Sequence, residues 1–268
     1  MLQRLQDIGG KKSMNRIYKA FENKKAFIGF LTAGDPVIDK TVDYILDMEE
    51  AGASLIEIGI PFSDPIAEGP VIQEANIRAL TNKMTTDKVF EIVKEIRKVS
   101  NIPLCLMTYL NPVFHYGYDN FFKKCQEVGI DGIIIPDCPF EESKEVSDIC
   151  YQYDVDLISM IAPTSKERTL EIAKQARGFI YLVSSMGVTG MRSKIVTDIE
   201  GIVELIKSVT DTPVAVGFGI NNQEQVKHFA SIADGVIVGS AIVNIIKENG
   251  ADANKPLYDY VKSLTDVM

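Results

Sequence analysis

Leu55-Ile56-Glu57-Ile58-Gly59-Ile60-Pro61-Phe62-Ser63-Asp64-Pro65-Ile66-Ala67-Glu68-Gly69-Pro70 sets a carboxylate inside an apolar, β-type run, then breaks the run with a loop rich in Pro, Gly and acids. Alternate side chains of a strand share a face. Ile56, Ile58 and Ile60 therefore point one way, and Leu55, Glu57 and Gly59 the other. Burying an unpaired carboxylate is costly, so Glu57 is either paired or held where an acid with a raised pKa is useful.

The unit of strand, loop and following amphipathic stretch repeats along the chain. Strands are expected at Ala26–Thr32, Ser54–Ile60, Pro103–Tyr109, Gly132–Ile135, Asp156–Met160, Phe179–Val183, Pro213–Gly217 and Asp234–Val238. Helices are expected at Val37–Ala51, Thr86–Val99, Tyr118–Val128, Glu141–Tyr153, Lys166–Ala176, Asp198–Val209, Asn222–Ala230 and Pro256–Leu264. Eight such units without a linker point to an α/β fold, a single (β/α)8 TIM barrel over 14–268. A doubly wound sheet would place Gly-x-Gly-x-x-Gly after its first strand, whereas this chain has Thr32-Ala33-Gly34-Asp35-Pro36. Residues 1–13 read as an N-terminal appendage, possible to dispense with if Met14 is an alternative start, and no function is assigned to it.

The chain has 268 residues, 46% of them hydrophobic, enough for one large core. No run approaches the roughly 18 apolar residues of a membrane span, and the start lacks an apolar signal core. Against 28 Lys and Arg stand 37 Asp and Glu, a formal charge of −9. The dispersed acids argue against nucleic acid, whose phosphates demand a basic face, and for a soluble protein. Cys105, Cys125, Cys138 and Cys150 form no Cys-x-x-Cys pair, and only two histidines accompany them. No metal site is expected, and buried reduced thiols fit a cytoplasmic location.

In such a barrel the active site lies at the C-terminal ends of the strands. Glu57, Tyr109, Asp137 and Tyr181 stand there, followed by the polar loop from Ser184 to Ser193. Each has a plain structural alternative: Glu57 as a carboxylate satisfied by a neighbour, the tyrosines as barrel filling, Asp137 as a turn or cap acid between two prolines. The seventh strand ends in Gly217-Phe218-Gly219, and the eighth in Gly239-Ser240 ahead of a short helical stretch, Ala241–Lys247. Glycines and helix-start N–H groups in that position suit a phosphate, the alternative being ordinary turn glycines with Ser240 as an N-cap.

Five motifs, Thr32 to Pro36, Glu57 to Pro65, Gly187-Val188-Thr189-Gly190, Gly217-Phe218-Gly219-Ile220 and Gly239-Ser240-Ala241-Ile242-Val243, resemble the tryptophan synthase alpha subunit family from about Asn15 to the last helix. The resemblance implies retro-aldol cleavage of indole-3-glycerol phosphate to indole and glyceraldehyde 3-phosphate. It implies Glu57 as catalytic acid, Glu68 as the second acid, and Tyr181 beside them. Glu68 departs from the family pattern Ala-Asp-Gly-Pro by one methylene. Substrate contacts fall on Phe30, Tyr109, Thr189 and Phe218, and phosphate ligands on Gly190, Gly219, Gly239 and Ser240. The loop with Pro61 and Asp64 is expected to face a partner beta subunit in an α2β2 tetramer. No cofactor is implied for this chain, with pyridoxal phosphate in the beta subunit alone. The residues leave three readings open: a lyase in a hetero-oligomer, a free-standing lyase releasing indole, and a catalytically weak activator module suggested by Glu68.

Overall fold

Each apolar run forms a strand within about two residues of its expected limits, because runs of Ile, Val and Leu bounded by Gly and Pro have few other ways to bury both faces. The structure, a computed structural model, describes residues 16–163, 165–184, 198–217 and 219–268. The strands are β1 (Ala26–Thr32), β2 (Leu55–Gly59), β3 (Leu104–Met107), β4 (Gly132–Ile134), β5 (Asp156–Ile161), β6 (Arg177–Val183), β7 (Val214–Gly217) and β8 (Gly235–Val238). They close in sequence order into a parallel barrel, β8 pairing back onto β1. This is the (β/α)8 fold expected from the repeat.

Twelve α-helices are found among the described residues. Those ahead of β3 are α1 (Arg16–Ala20), α2 (Lys40–Glu50), α3 (Pro70–Thr81) and α4 (Thr86–Arg97). Next come α5 (Leu110–Tyr116), α6 (Tyr118–Val128), α7 (Lys144–Cys150) and α8 (Lys166–Gln175). The last four are α9 (Ile199–Lys207), α10 (Gln223–Ile232), α11 (Ser240–Asn249) and α12 (Asn254–Thr265). Thr85, Ser165, Asp198 and Asn222 each accept a backbone N–H three residues on, fixing where α4, α8, α9 and α10 begin.

The expected helix at Glu141–Tyr153 is shorter as α-helix, because Tyr151–Tyr153 tightens into a 3₁₀ turn that ends on left-handed Asp154. Three helices were not anticipated. α1 closes the N-terminal end of the barrel: Ile17 is fully buried among the inward side chains, while Arg16 is anchored to Asp131 and the Gly129 carbonyl. α3 and α5 stand at the opposite end, where they frame the candidate site. The residues 1–15, and with them the appendage, lie outside the described residues.

The alternation read in β2 holds. Ile56, Ile58 and Ile60 pack outward against the helical layer, whereas Leu55 joins Ile28, Cys105, Ile134, Phe179, Tyr181 and Ile237 in the barrel interior. The interior is thus filled with side chains. Glu57 shares their face, level with Phe30 on one side and Cys105 on the other.

Candidate functional site

Glu57 is the polar exception among the apolar interior side chains at the C-terminal half of β2. It is 1% exposed, and its Oε1 has no hydrogen-bond partner among the described residues. Among the described residues, nothing satisfies this oxygen as a structural carboxylate would require. Burial, with no compensating partner, pushes its carboxyl up to about 8, so at neutral pH the group is largely a protonated acid. Tyr181 projects into the same interior from β6, and its hydroxyl is raised by burial first and then by the charge of Glu57. Phe30 fills the adjoining space: a Cβ on Gly59 would lie 2.9 Å from its ring. Both glycine and aromatic are set by strand register, Phe30 beside Glu57 and Thr32 beside Gly59.

Glu68 reaches the mouth from the loop after β2. Its Oε2 accepts a 2.6 Å hydrogen bond from the Asn76 amide of α3, and the Tyr109 hydroxyl lies close enough to favour its charged form. Burial raises its carboxyl from the ordinary range, while Asn76 and Tyr109 pull it back. Tyr109 serves the loop as well: its hydroxyl accepts from the Ala67 N–H at 3.0 Å, and its ring stacks on Phe62 at 5.4 Å. Burial and the nearby Glu68 and Asp137 charges push the Tyr109 hydroxyl up to about 12, so it remains a donor. Asp137 is a cap, as its position between prolines suggested: its Oδ1 accepts the Leu110 N–H at the start of α5.

The opposite rim carries the glycines. Gly219 adopts φ +81 with open space where a side chain would begin, a conformation that favours glycine and leaves its backbone approachable. Gly239 is the N-cap of α11 and Ser240 its first residue, with no side-chain cap on the helix start. The helix follows β8 directly, where a barrel commonly binds phosphate. Ser240 is thus not an N-cap. Thr189, Gly190 and Phe218 lie outside the described residues, as does most of the loop from Ser184 to Ser193.

Pro61 and Asp64 sit in the loop that presents Glu68, and the Ser63 hydroxyl donates to Asp64 at 2.5 Å. Three residues were not singled out as site residues in the sequence. Met107 packs both against the interior and beside Phe30; the period of two from Cys105 would have found it. Thr32 ends β1 with a buried hydroxyl that has no partner among the described residues. Asn76 carried no signal beyond a polar residue on an otherwise apolar stripe.

A profile of the family described as tryptophan synthase alpha chain matches residues 18–266. This chain belongs to that family. It is 45% identical over 262 residues to the tryptophan synthase alpha chain of Caldanaerobacter subterraneus, covering 95% of this chain and all of that one. The Lactiplantibacillus plantarum tryptophan synthase alpha chain is 48% identical over 252 residues, covering 94% of this chain and 95% of its own. Among solved structures, tryptophan synthase subunit alpha of Legionella pneumophila superposes with a TM-score of 0.86 at 36% identity, covering 95% and 98% of the two chains. A Pyrococcus furiosus chain, solved in work on mutual activation of the tryptophan synthase a2b2 complex, gives 0.83 at 40% identity, covering 91% and 99%. A tryptophan synthase alpha chain is a lyase of tryptophan biosynthesis, and this one cleaves indole-3-glycerol phosphate to indole and glyceraldehyde 3-phosphate.

Proposed function

We propose that Glu57 and Glu68 carry the proton transfers of this cleavage, without a metal or organic cofactor. The observation behind the reading is Glu57: an inward carboxyl, buried, unpartnered among the described residues and raised to about 8. The bond to be broken joins the indole ring to the glycerol side chain, and it breaks only if the ring can accept the electron pair. Protonated Glu57 gives its proton to the ring carbon, and the Glu68 carboxylate takes the proton of the ring N–H. The ring becomes an indolenine, an electron sink. Glu57, now a carboxylate, removes the side-chain hydroxyl proton. The carbonyl of glyceraldehyde 3-phosphate forms as the carbon–carbon bond breaks, and its electrons restore the aromatic ring. Glu68 returns its proton to the ring nitrogen. Charge and protons balance, and each acid ends as it began. Positioned proton transfer of this kind contributes roughly 10² to 10⁴ in rate.

Tyr181 holds its hydroxyl beside the Glu57 carboxylate that forms during the cycle. Phe30, Tyr109, Thr189 and Phe218 contact the ring and side chain, and Gly190, Gly219, Gly239 and Ser240 bind the phosphate through backbone N–H groups and the Ser240 hydroxyl. Residues 14–268 form the lyase domain, behind an appendage of residues 1–13. The chain works in the cytoplasm as the alpha subunit of an α2β2 assembly, with pyridoxal phosphate confined to the beta subunit and the Pro61–Asp64 loop against it. Related tryptophan synthase complexes from Pyrococcus furiosus and M. tuberculosis support the partner.

Glu57→Gln keeps the size and removes the titratable proton. Indole release should fall by at least about 10²-fold, with substrate binding retained. Near-parental turnover by a folded Glu57→Gln protein would overturn the role.

A further inference from the structure

Ile72, Ala75, Asn76 and Ala79 are the buried residues of α3. They follow the three- and four-residue spacing of one helix face, so Asn76 takes a place in the stripe where an apolar residue belongs. It is 4% exposed. A buried amide needs a hydrogen-bond partner, and its partner is a carboxylate oxygen of Glu68 at 2.6 Å. The two residues lie eight positions apart, with Glu68 just ahead of Pro70 at the helix start. Helical side chains lean toward the N-terminus of their helix, so Asn76 leans down toward the loop while Glu68 folds back along the helix. Gln73, one turn below, donates its amide to the Glu68 backbone carbonyl at 2.8 Å. α3 therefore grips both the main chain and the side chain of Glu68.

We propose that Asn76 is a positioning residue for catalysis, holding the Glu68 carboxylate in the one rotamer that faces the indole nitrogen. The proposal rests on the reading of Glu68 as the second acid. A free glutamate at a loop tip would spread over several rotamers; one clamped at its far end by a rigid helix does not. The clamp is matched in length, since Glu68 spans the gap only with its full side chain. Removing one methylene draws the carboxylate back by about 1.5 Å, out of hydrogen-bond range of Asn76.

The length match supplies the experiment. Indole release and the KM for indole-3-glycerol phosphate are measured for Glu68→Asp, Asn76→Gln, the double variant that combines them, and Asn76→Ala in both the parental and Glu68→Ala backgrounds. Asn76→Ala and Glu68→Asp should each lower kcat about tenfold with KM within a factor of about two, because misplacing a group by about 1 Å suffices for such losses. Asn76→Gln should lose a similar amount by pushing the longer acid aside. The double variant should recover most of the parental kcat, since the shorter acid meets the longer amide. Asn76→Ala should do nothing further where Glu68 is already Ala. Additive losses in the double variant, or an Asn76→Ala effect that persists without the acid, would reduce Asn76 to a packing residue and overturn the proposal. Full activity of Glu68→Ala alone would instead remove the underlying role of Glu68. The double variant keeps the test decisive if Asn76→Ala folds poorly.

Discussion

Gly217 lies directly against Tyr181: a Cβ at position 217 would sit 2.6 Å from the tyrosine hydroxyl. The contact follows from register, because Val183 on β6 stands beside Gly217 on β7 and Tyr181 occupies the same inward face two residues earlier. The absence of a side chain at the end of β7 is what allows the Tyr181 hydroxyl to stand in the interior with Glu57.

Gly217→Ala should therefore move the Tyr181 ring. Overpacking a filled interior costs about 1–3 kcal/mol, which urea unfolding will register. Turnover should fall as well, by about tenfold if Tyr181 supports the Glu57 carboxylate. Combining Gly217→Ala with Tyr181→Phe should then leave most of the stability loss and restore no turnover, because ring carbons 2.7 and 2.8 Å from the new Cβ remain while the hydroxyl function is gone. Unchanged stability in Gly217→Ala would show that the ring yields without cost.

The buried acid predicts a stability profile with pH. Burial raises the Glu57 carboxyl from its ordinary value of 4.5 to about 8. Between these values the folded protein keeps a proton that the unfolded chain has released. Its contribution to stability is fully present below 4.5, declines as pH rises, and is lost above 8. At about 1.4 kcal/mol per pKa unit, the swing is of order 5 kcal/mol. Glu57→Gln has no proton to lose. It should unfold at higher urea concentration than the parent at pH 9, and the difference should vanish near pH 4.5. A difference independent of pH would mean that Glu57 is already ionised in the folded state.

At the phosphate rim, Gly219→Val should raise KM for indole-3-glycerol phosphate at least about tenfold with kcat much less affected. The φ of +81 strains a β-branched residue, and the new methyl groups enter the open space beside the backbone. Glycerol phosphate soaked into crystals should lie between Gly219, Gly239 and Ser240. A phosphate found elsewhere would displace the assignment.

What the chain reveals before it folds depends on how local the cause is. The strands were legible because each is a short run of branched apolar residues bounded by Gly, Pro or Asp, and Glu57 was legible because it breaks such a run. α3 was not, because its buried face is Ile72, Ala75, Asn76 and Ala79, too small and polar to stand out from a loop. α5 was hidden for a different reason: Pro112 lies in it, and its first N–H is capped by Asp137 from beyond β4, 27 residues away. The same long reach explains Tyr109. The family resemblance implied a substrate contact for it; that its hydroxyl also bonds to the loop at Ala67, 42 residues earlier, no local pattern records.

The loop that positions Glu68 also carries, among the described residues, the most exposed large apolar side chain at this end of the barrel, Ile66, 76% exposed, while Phe114 on nearby α5 is 66% exposed. Asp64 stands in the same loop in open solvent. A partner that covers this rim bears on the segment whose Ala67 N–H is tied to Tyr109 and whose Glu68 carboxylate is tied to Asn76. Fixing the loop fixes Glu68, the proposed second acid, so beta-subunit binding should raise the rate of indole release. Coupling of this kind is reciprocal in binding free energy, and substrate held in the barrel should tighten association with the beta subunit by the same factor. Asp64 touches neither acid. Asp64→Ala should therefore leave the basal rate of the isolated chain within about twofold while cutting the stimulation by the beta subunit several-fold, as expected for a charge at the edge of an interface. Indole release is measured at increasing beta subunit, with association followed by calorimetry in the presence and absence of glycerol phosphate. A beta subunit that binds tightly and leaves the parental rate unchanged would break the link between this loop and catalysis, and the chain would then be a lyase that releases indole on its own.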